Sequence, residues 1–329
     1  MGISSPDWAI DAQELTKLYP PEVRALDGLS FRARRGAIFA LLGPNGAGKS
    51  TTVKILTTLS QPSGGTATVA GYDIRNQPDQ VRRAIGCVAQ RSGLDRQATG
   101  RENLLLQGQL YGMKRVDLAT RAANLLDRFG LAEAADRPVR TYSGGMERRL
   151  AIALGLIHRP QVLFLDEPTT GLDPEIRAAM WTEIQRLAQD EGLTILLTTH
   201  YLEEADQLAQ RLAIIDRGRV VVEGTPDQLK GELQGDTVQV QLRDAASSNR
   251  VRPALAGLPG LRDIALDSVT LRARAENGAT AVPAILAALE SAGAPVASVT
   301  VARPSLDDVY LRYAGHAFDA AGLALTGGA

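Results

Sequence analysis

The sequence is poor in cysteine and in aromatic residues, and it is close to neutral. Its single cysteine, Cys87, excludes a disulfide within the chain and fits a reducing compartment. Aromatic residues make up 4% of the chain, which disfavours stacking platforms for single-stranded nucleic acid. The net charge is −1, from 36 basic and 37 acidic residues, so no general attraction to phosphate backbones exists. The composition therefore predicts no nucleic-acid partner.

Long apolar runs are also missing. No run approaches the roughly 20 residues that a membrane-spanning helix needs. Residues 1–10 lack the basic segment and apolar stretch of a secretory signal. If a membrane is involved, we expect a separate chain to supply the spanning segments. The 329 residues, 44% of them hydrophobic, allow one large globular domain or two ordinary ones.

The most informative segment that is present covers residues 43–50, and it matches the phosphate-loop pattern Gly-x4-Gly-Lys-Ser/Thr in full. An apolar run before it predicts a buried strand, and the residues after it predict a helix. Glycines let backbone N–H groups turn toward phosphate oxygens, and a helix N-terminus favours the same negative charge. Lys49 is expected at the β- and γ-phosphates, and the Ser50 hydroxyl on Mg²⁺. The residues expected to hold the nucleotide here are Gly43, Pro44, Asn45, Gly46, Ala47, Gly48, Lys49, Ser50 and Thr51.

Three other predicted strands end in polar residues. The strand at 162–165 is followed by Asp166, expected to hold Mg²⁺ through water, and by Glu167, expected to orient a water and take its proton. His200 ends the strand at 194–199 and is expected in the same crevice, although a lone histidine is usually structural. Gln90 ends the run at 84–89; it is either a crevice residue or an ordinary loop glutamine. Cys87, within that run, is interpreted as a small core residue.

Two helix starts carry further polar signals. Ser143 is expected to cap a helix over 144–158, and Gly144 and Gly145 at its entrance expose N–H donors. This turn is either a second anion site or a plain capped helix start. Asp173 is expected to cap a second helix, which runs to about residue 190. Helical patterns dominate residues 99–158, which predicts a helical insertion into an α/β body.

Taken in order, these elements resemble the ATP-binding cassette of ABC transporters over about residues 7–230. More narrowly, the chain resembles the daunorubicin-resistance ATP-binding family of drug exporters. The triplet at 143–145 matches the superfamily signature, whose usual form is Leu-Ser-Gly-Gly-Gln. Tyr142 and Met146 depart from it, so only the phosphate-contacting role of Ser143, Gly144 and Gly145 is carried over.

The resemblance implies roles for four more positions. Tyr19 matches the aromatic residue that stacks on adenine, and Gln90 the glutamine that senses Mg²⁺ and the attacking water. Asp173 matches the aspartate that passes signals between the two halves, and His200 the histidine that contacts the γ-phosphate. Composition and spacing alone do not assign these roles.

The resemblance also implies an architecture for residues 1–232. It is an α/β P-loop ABC ATPase with a RecA-like core, an antiparallel β subdomain and a helical subdomain at about 91–160. Two copies would pair head to tail, with ATP between the phosphate loop of one and the Ser143 turn of the other. An integral membrane permease, a separate chain, would receive the motion near Gln90 and the segment 91–102. The implied location is the cytoplasmic face of a bacterial membrane; the excess of arginine over lysine also suggests a bacterial source.

Residues 233–315 are predicted to form a small α+β domain of the ferredoxin-like type. Strand patterns at 237–242, 261–266, 269–273 and 296–301 alternate with helix patterns at 249–256 and 279–292, in the order βαββαβ. Residues 303–310 resemble the C-terminal segment of the same exporter family. The domain is expected to serve dimer contact or regulation, or to be an inert appendage. Residues 316–329 are expected to be a flexible tail.

The leading hypothesis is an ATPase subunit that drives efflux of hydrophobic drugs, antibiotics or lipid-like molecules. One alternative is a cassette ATPase of translation or DNA repair; the single phosphate loop and the absence of heptads disfavour it. Another is a subunit that exports lipids or polysaccharides. A third is a switch that barely hydrolyses ATP, which Glu167 disfavours. The cargo, and export as opposed to import, stay open at this level.

Overall fold

The chain divides into two compact units, one up to Thr225 and one from Pro226. The computed structural model describes residues 7–90, 93–233, 235–244, 248–255 and 257–315. The predicted tail at 316–329 and the start of the segment 91–102 therefore lie outside the described residues.

An antiparallel sheet forms the first layer of the first unit. Its four strands lie in the order β2-β1-β4-β5. They are β1 (Trp8–Tyr19), β2 (Val23–Arg34), β4 (Gly64–Val69) and β5 (Tyr72–Asp73). Strand β1 is continuous through residues 10–15, although apolar and polar residues do not alternate regularly there. The pairing of β1 with β2 shifts register between Ala12 and Leu15, and Glu14 adopts a φ of 50°, so a bulge interrupts the alternation.

A mostly parallel six-stranded sheet forms the centre of this unit, in the order β10-β9-β3-β8-β7-β6. The strands are β3 (Ile38–Leu42), β6 (Ile85–Val88), β7 (Val162–Asp166), β8 (Thr194–Thr199), β9 (Arg211–Asp216) and β10 (Arg219–Gly224). Strands β3, β7 and β8 are buried along their whole length, which explains their unbroken apolar sequences. They run parallel, so their carboxyl ends lie at one edge of the sheet.

Cys87 departs from its predicted environment. It lies in β6, and its side chain is exposed, so the core assignment was wrong. The reason is strand order, because β6 is the edge strand of its sheet. The thiol faces a cleft whose walls still raise its pKa to about 11, chiefly by desolvation.

Helices complete the first unit, and their starts follow local signals. A capping box begins helix α3 (Gly100–Leu110): the Thr99 hydroxyl accepts from the Glu102 N–H, and the Glu102 carboxylate accepts from the Thr99 N–H. The helices are α1 (Lys49–Leu56), α2 (Pro78–Ala84), α3 (Gly100–Leu110), α4 (Arg115–Arg128), α5 (Gly144–Leu156), α6 (Pro174–Glu191) and α7 (Leu202–Leu208), with a 3-10 turn at Val139–Thr141. Helices α3, α4 and α5 pack together as the predicted helical insertion.

The second unit has the strand order of a ferredoxin-like fold. Its antiparallel strands are ordered β12-β13-β11-β14, and two helices cover the apolar face. The elements are α8 (Pro226–Gly231), β11 (Asp236–Leu242), α9 (Ser248–Leu255), β12 (Leu261–Asp267), β13 (Thr270–Ala275), α10 (Gly278–Ser291), β14 (Val296–Ala302) and α11 (Leu306–Ala314). Helix α11 was not predicted, although Ser305 and Asp308 form a capping box that could have indicated it.

Candidate active site

The phosphate loop joins β3 to α1, and backbone geometry explains its glycines. Gly46 and Gly48 adopt φ values of 83° and 109°, which side chains with a Cβ rarely tolerate. A Cβ on Gly43 would lie 2.3 Å from the Ile215 carbonyl oxygen, so this position is sterically closed to any other residue. Around Gly46 the space is open, since nothing lies within 4 Å of an added Cβ. The loop is thus fixed at both ends and open at its centre.

Lys49, the first residue of α1, folds back over this loop. Its side chain is buried, and its Nζ donates to the carbonyl oxygens of Gly43, at 2.7 Å, and Pro44, at 3.1 Å. The same Nζ lies 3.7 Å from Glu167 Oε1. Burial lowers the pKa of Lys49, while the charges of Glu167 and Asp166 oppose that shift. The ammonium group is therefore held at the mouth of the loop.

Asp166 lies at the end of β7, next to the start of α1. The Ser50 hydroxyl donates to Asp166 Oδ1 at 3.2 Å, and the Thr198 hydroxyl donates to the same oxygen at 2.5 Å. Sequence reasoning missed Thr198. Its position, just before the end of a fully buried strand, was a usable signal because side chains there face the sheet edge.

Glu167 is the centre of a second cluster at this edge. Gln90 Nε2 donates to Glu167 Oε2 at 3.2 Å, which places Gln90 in the crevice. His200 Nδ1 lies 3.1 Å from Glu167 Oε1, although the contact does not have hydrogen-bond geometry. The Glu167 backbone adopts a φ of 50°, unusual for a residue with a side chain, and its N–H donates to the Thr198 carbonyl at 3.1 Å.

Among the described residues, no hydrogen bond or ion pair joins the side chain of Ser143 or Asp173 to this cluster. Ser143 caps α5, since its Oγ accepts from the Met146 N–H at 3.2 Å; Asp173 caps α6 by accepting from the Ile176 N–H at 2.9 Å. A Cβ on Gly145 would meet Ile176 at 2.8 Å, so the two helix starts pack closely. Above Gly144 the space is open.

Two aromatic residues complete the expected set. Tyr142, which departs from the usual leucine, is buried and donates from its hydroxyl to the Ala134 carbonyl at 2.6 Å. It therefore anchors the turn inside the helical layer. Tyr19, half-buried at the end of β1, has the Lys17 ammonium 5.0 Å from its ring centroid. Tyr19 makes no polar contact with the phosphate loop among the described residues.

Two buried charged residues were missed from the sequence. Arg148, in α5, donates to backbone carbonyls around the Glu167 cluster. Glu204, in α7, accepts from the Thr169 hydroxyl at 2.7 Å and from the Trp181 indole at 3.0 Å. Neither residue belongs to the phosphate-loop pattern or to the triplet at 143–145, and their contacts span distant parts of the chain.

In the part of the chain that the structure describes, no group of three or more His, Cys, Asp or Glu side chains is placed to hold a metal ion by itself. Among the same residues, no helix has both the length and the apolar character needed to cross a bilayer.

The chain matches two known protein families. The ABC transporter family matches residues 26–170, and the C-terminal domain of DrrA1-3-like ATP-binding proteins matches residues 224–314. A dimeric ATP-binding cassette in a post-hydrolysis state, bound to ADP and Pi, has a similar fold, with a TM-score of 0.61 and 26% identity. That match covers 66% of this chain and 98% of the cassette.

Characterised relatives match nearly the whole chain. The daunorubicin/doxorubicin resistance ATP-binding protein of Streptomyces peucetius is 45% identical over 96% of this chain and 95% of its own length. The linearmycin resistance ATP-binding protein of Bacillus subtilis is 34% identical over 93% of this chain and 98% of its own length. The chain therefore belongs to the daunorubicin-resistance ATP-binding proteins, a family of ABC-type transporter ATPases.

Proposed function

We propose that this chain is the ATP-hydrolysing subunit of an exporter that removes hydrophobic drugs or antibiotics through a separate membrane permease. The observation that carries the proposal is the Glu167 carboxylate, which lies between the phosphate-loop Lys49, Gln90 and His200. A protein that only binds nucleotide has no need of this arrangement. The resistance functions in the names of the two relatives support the drug class and disfavour a role in translation or DNA repair.

The nucleotide would lie in the phosphate loop, cradled by residues 43–51. Its open centre at Gly46 and the buried Lys49 ammonium fit the charge and size of a triphosphate. Mg²⁺ would be held by Ser50 directly and by Asp166 and Gln90 through water. A donor set of one hydroxyl and one carboxylate suits this ion, which takes most ligands from phosphate and water. The ion would neutralise charge that develops on the phosphates.

The residues of the cluster would divide the chemistry. Glu167 would orient the attacking water and accept its proton, because its carboxylate lies at the crevice and is mostly shielded from solvent. His200 would contact the γ-phosphate, and Gln90 would report on Mg²⁺ and the water. Lys49 would move from the loop carbonyls to the phosphates when the nucleotide arrives.

A second copy of the chain would complete the site. Among the described residues of one chain, Ser143, Gly144 and Gly145 make no polar contact with the catalytic cluster, yet the space above Gly144 is open. A head-to-tail homodimer would bring this turn against the γ-phosphate bound by the partner, with Asp173 beside it. Because the γ-phosphate would bind only the closed pair well, its loss on hydrolysis would let the copies separate. Tyr19 would stack on adenine.

The division of labour along the chain is part of the proposal. Residues 1–232 would form the cassette, with its helical subdomain at about 91–160, and residues 233–315 an accessory domain for dimer contact or regulation. Residues 316–329 would follow the accessory domain as a separate tail, a division that rests on the sequence alone. The assembly would lie at the cytoplasmic face of a bacterial membrane, held there by the permease.

The permease would dock at the cleft beside β6. This cleft, of about 320 Å³, lies between the central sheet and the helical insertion and includes Ala89, next to Gln90. Two large side chains that line it are solvent-exposed, Leu59 at 72% and Tyr111 at 38%. Exposed side chains of this kind beside a cleft favour a protein contact.

Transport-coupled ATP hydrolysis tests the proposal. The chain would be co-purified with its membrane partner in lipid vesicles, and ATP turnover would be measured with a panel of hydrophobic drugs and with water-soluble nutrients. We expect Mg²⁺-dependent turnover that rises with at least one drug, together with movement of that drug. Turnover that responds to no drug, or that requires ribosomes or DNA, would overturn the export function.

A further inference from the structure

Arg148 occupies an unusual position behind the catalytic cluster. It lies in α5, and only 8% of its surface is exposed. Its guanidinium group donates hydrogen bonds to four backbone carbonyls: Pro168 at 2.7 Å, Ala89 at 2.8 Å, Asp166 at 2.9 Å and Glu167 at 3.0 Å. One side chain therefore contacts the segment after β7 and the residue just before Gln90.

Burying an arginine against neutral carbonyls costs folding free energy, since burial disfavours its charge. Desolvation lowers the pKa of Arg148, while the more distant charges of Asp166, Glu204 and Glu167 oppose the shift. An apolar side chain of similar volume would fill the same space at lower cost. The hydrogen bonds themselves are what an apolar residue could not supply.

These bonds act on a backbone that needs support. Glu167 adopts a φ of 50°, a conformation that costs free energy for a residue with a Cβ and persists only where neighbours impose it. On one side the Glu167 N–H donates to Thr198; on the other side Arg148 holds the Glu167 carbonyl. Removing Arg148 would leave the carbonyl of the proposed base without this donor.

The same helix begins at the Ser143 turn. Arg148 lies five positions after Ser143, so about 7.5 Å of rigid helix separates the two. A displacement of the turn would reach the guanidinium group without passing through a flexible loop. Through its four bonds, that displacement would reach Glu167 and the residue beside Gln90 together.

We propose that Arg148 is a positioning residue that couples the Ser143 turn to the placement of Glu167 and Gln90. This inference rests on the function proposed above, in which the turn meets the partner copy's nucleotide. In this arrangement the carboxylate and the glutamine reach their working positions together, and only when α5 is correctly seated. Arg148 would act through the backbone carbonyls that it holds and not through contact with the nucleotide.

A neighbouring arginine provides the matched control. Arg149, the next residue of α5, donates to the Phe129 carbonyl at 2.9 Å and weakly to Gly145, so its bonds stay within the helical insertion. Arg149→Lys removes a guanidinium group from the same helix without touching the Glu167 cluster. A general weakening of α5 would affect both positions, whereas the proposed coupling affects Arg148 alone.

The test measures kcat, KM for ATP and melting temperature for Arg148→Gln, Arg148→Lys and Arg149→Lys. For Arg148→Gln we expect kcat to fall about 100-fold with little change in KM, the size that a 1 Å misplacement of a catalytic group produces. Arg148→Lys should recover part of the rate, because an ammonium group can bond some of the carbonyls. Arg149→Lys should resemble the wild type.

A double-mutant cycle with Gln90→Ala separates positioning from simple destabilisation. If Arg148 positions Gln90, then Gln90→Ala should cost much less in the Arg148→Gln background than alone. Multiplicative losses, or an unchanged kcat in Arg148→Gln, would overturn the inference. If Arg148→Gln does not fold, the same cycle with Arg148→Lys decides. If Glu167→Gln keeps the wild-type turnover, the assignment of Glu167 as the base is wrong, and that outcome is distinct from a failure of the Arg148 inference.

Discussion

The two units of the chain bury different kinds of side chain. Among the described residues up to 225, buried polar groups gather where parallel strands end, as at Asp166, Thr198 and His200. In the described part of the second unit, buried polar side chains are few: Thr237 bonds to Asp308, and Arg274 bonds to loop carbonyls. Parallel strands bring their carboxyl ends to one edge, whereas antiparallel strands place carboxyl ends at both edges in turn. The central parallel sheet of the first unit can therefore gather polar side chains at one edge.

This difference predicts different consequences of mutation. A buried polar cluster costs folding free energy and is retained for what it does, whereas an apolar core contributes stability directly. Substitutions at the carboxyl edge of the central parallel sheet should therefore affect turnover more than folding stability. Changes in the core of the second unit should do the opposite.

The largest effect is expected at Lys49. Lys49→Ala should reduce ATP turnover by at least about 100-fold and weaken nucleotide binding, because it removes the buried ammonium group at the mouth of the loop. Turnover and binding of a fluorescent ATP analogue would be measured. Lys54→Ala, on an exposed position of the same helix, is the control and should behave as the wild type. Full hydrolysis in Lys49→Ala would contradict the assignment of the phosphate loop.

The next effect is expected at Glu167. Glu167→Gln keeps the shape but cannot take a proton, so turnover should fall by about 100-fold or more while ATP still binds. Bound, unhydrolysed ATP should then favour the dimer, which light scattering would detect. Glu133→Gln, exposed and remote from the cluster, should hydrolyse normally. A variant at Glu167 that stays monomeric with ATP, or that keeps its rate, would exclude this residue as the base.

A smaller effect is expected at Ser143. Ser143→Arg places a bulky side chain where the partner's phosphate would lie, and overpacking of this kind should weaken dimer closure by about 10-fold or more. ATP should still bind the monomer. Ser143→Ala separates the loss of the helix cap from the steric block, and Thr120→Arg adds the same charge to an exposed helix face. Unchanged closure in Ser143→Arg would reject the shared site.

Local patterns in the sequence predicted much of this site. The glycines of the phosphate loop, the caps at Ser143 and Asp173, and the carboxylates at the end of β7 depend on neighbouring residues, which a sequence displays directly. The ferredoxin-like order of strands and helices in the second unit was likewise readable from alternation and turn residues.

Other features depend on partners far along the chain. The contacts of Arg148 reach residues 18 to 59 positions away, and no short pattern encodes them. Cys87 was misassigned because burial of a strand depends on its place in the sheet, and an apolar run looks alike at the centre and at the edge. The continuity of β1 was hidden by the bulge at Glu14, which a two-residue period cannot reveal.

The smallest effect on activity is expected in the core of the second unit. Leu289 is fully buried among the apolar residues of α9, α10 and the sheet, so Leu289→Ala should lower the unfolding free energy of this unit by about 2–5 kcal/mol. Below the melting transition, ATP turnover should match that of Glu290→Ala, its exposed neighbour. Calorimetry with and without nucleotide is decisive, since a ligand stabilises only the unit that binds it. If the two units unfold separately, ATP should raise one transition and leave the transition lowered by Leu289→Ala in place. A single transition that both changes shift would mean that the C-terminal unit stabilises the cassette itself.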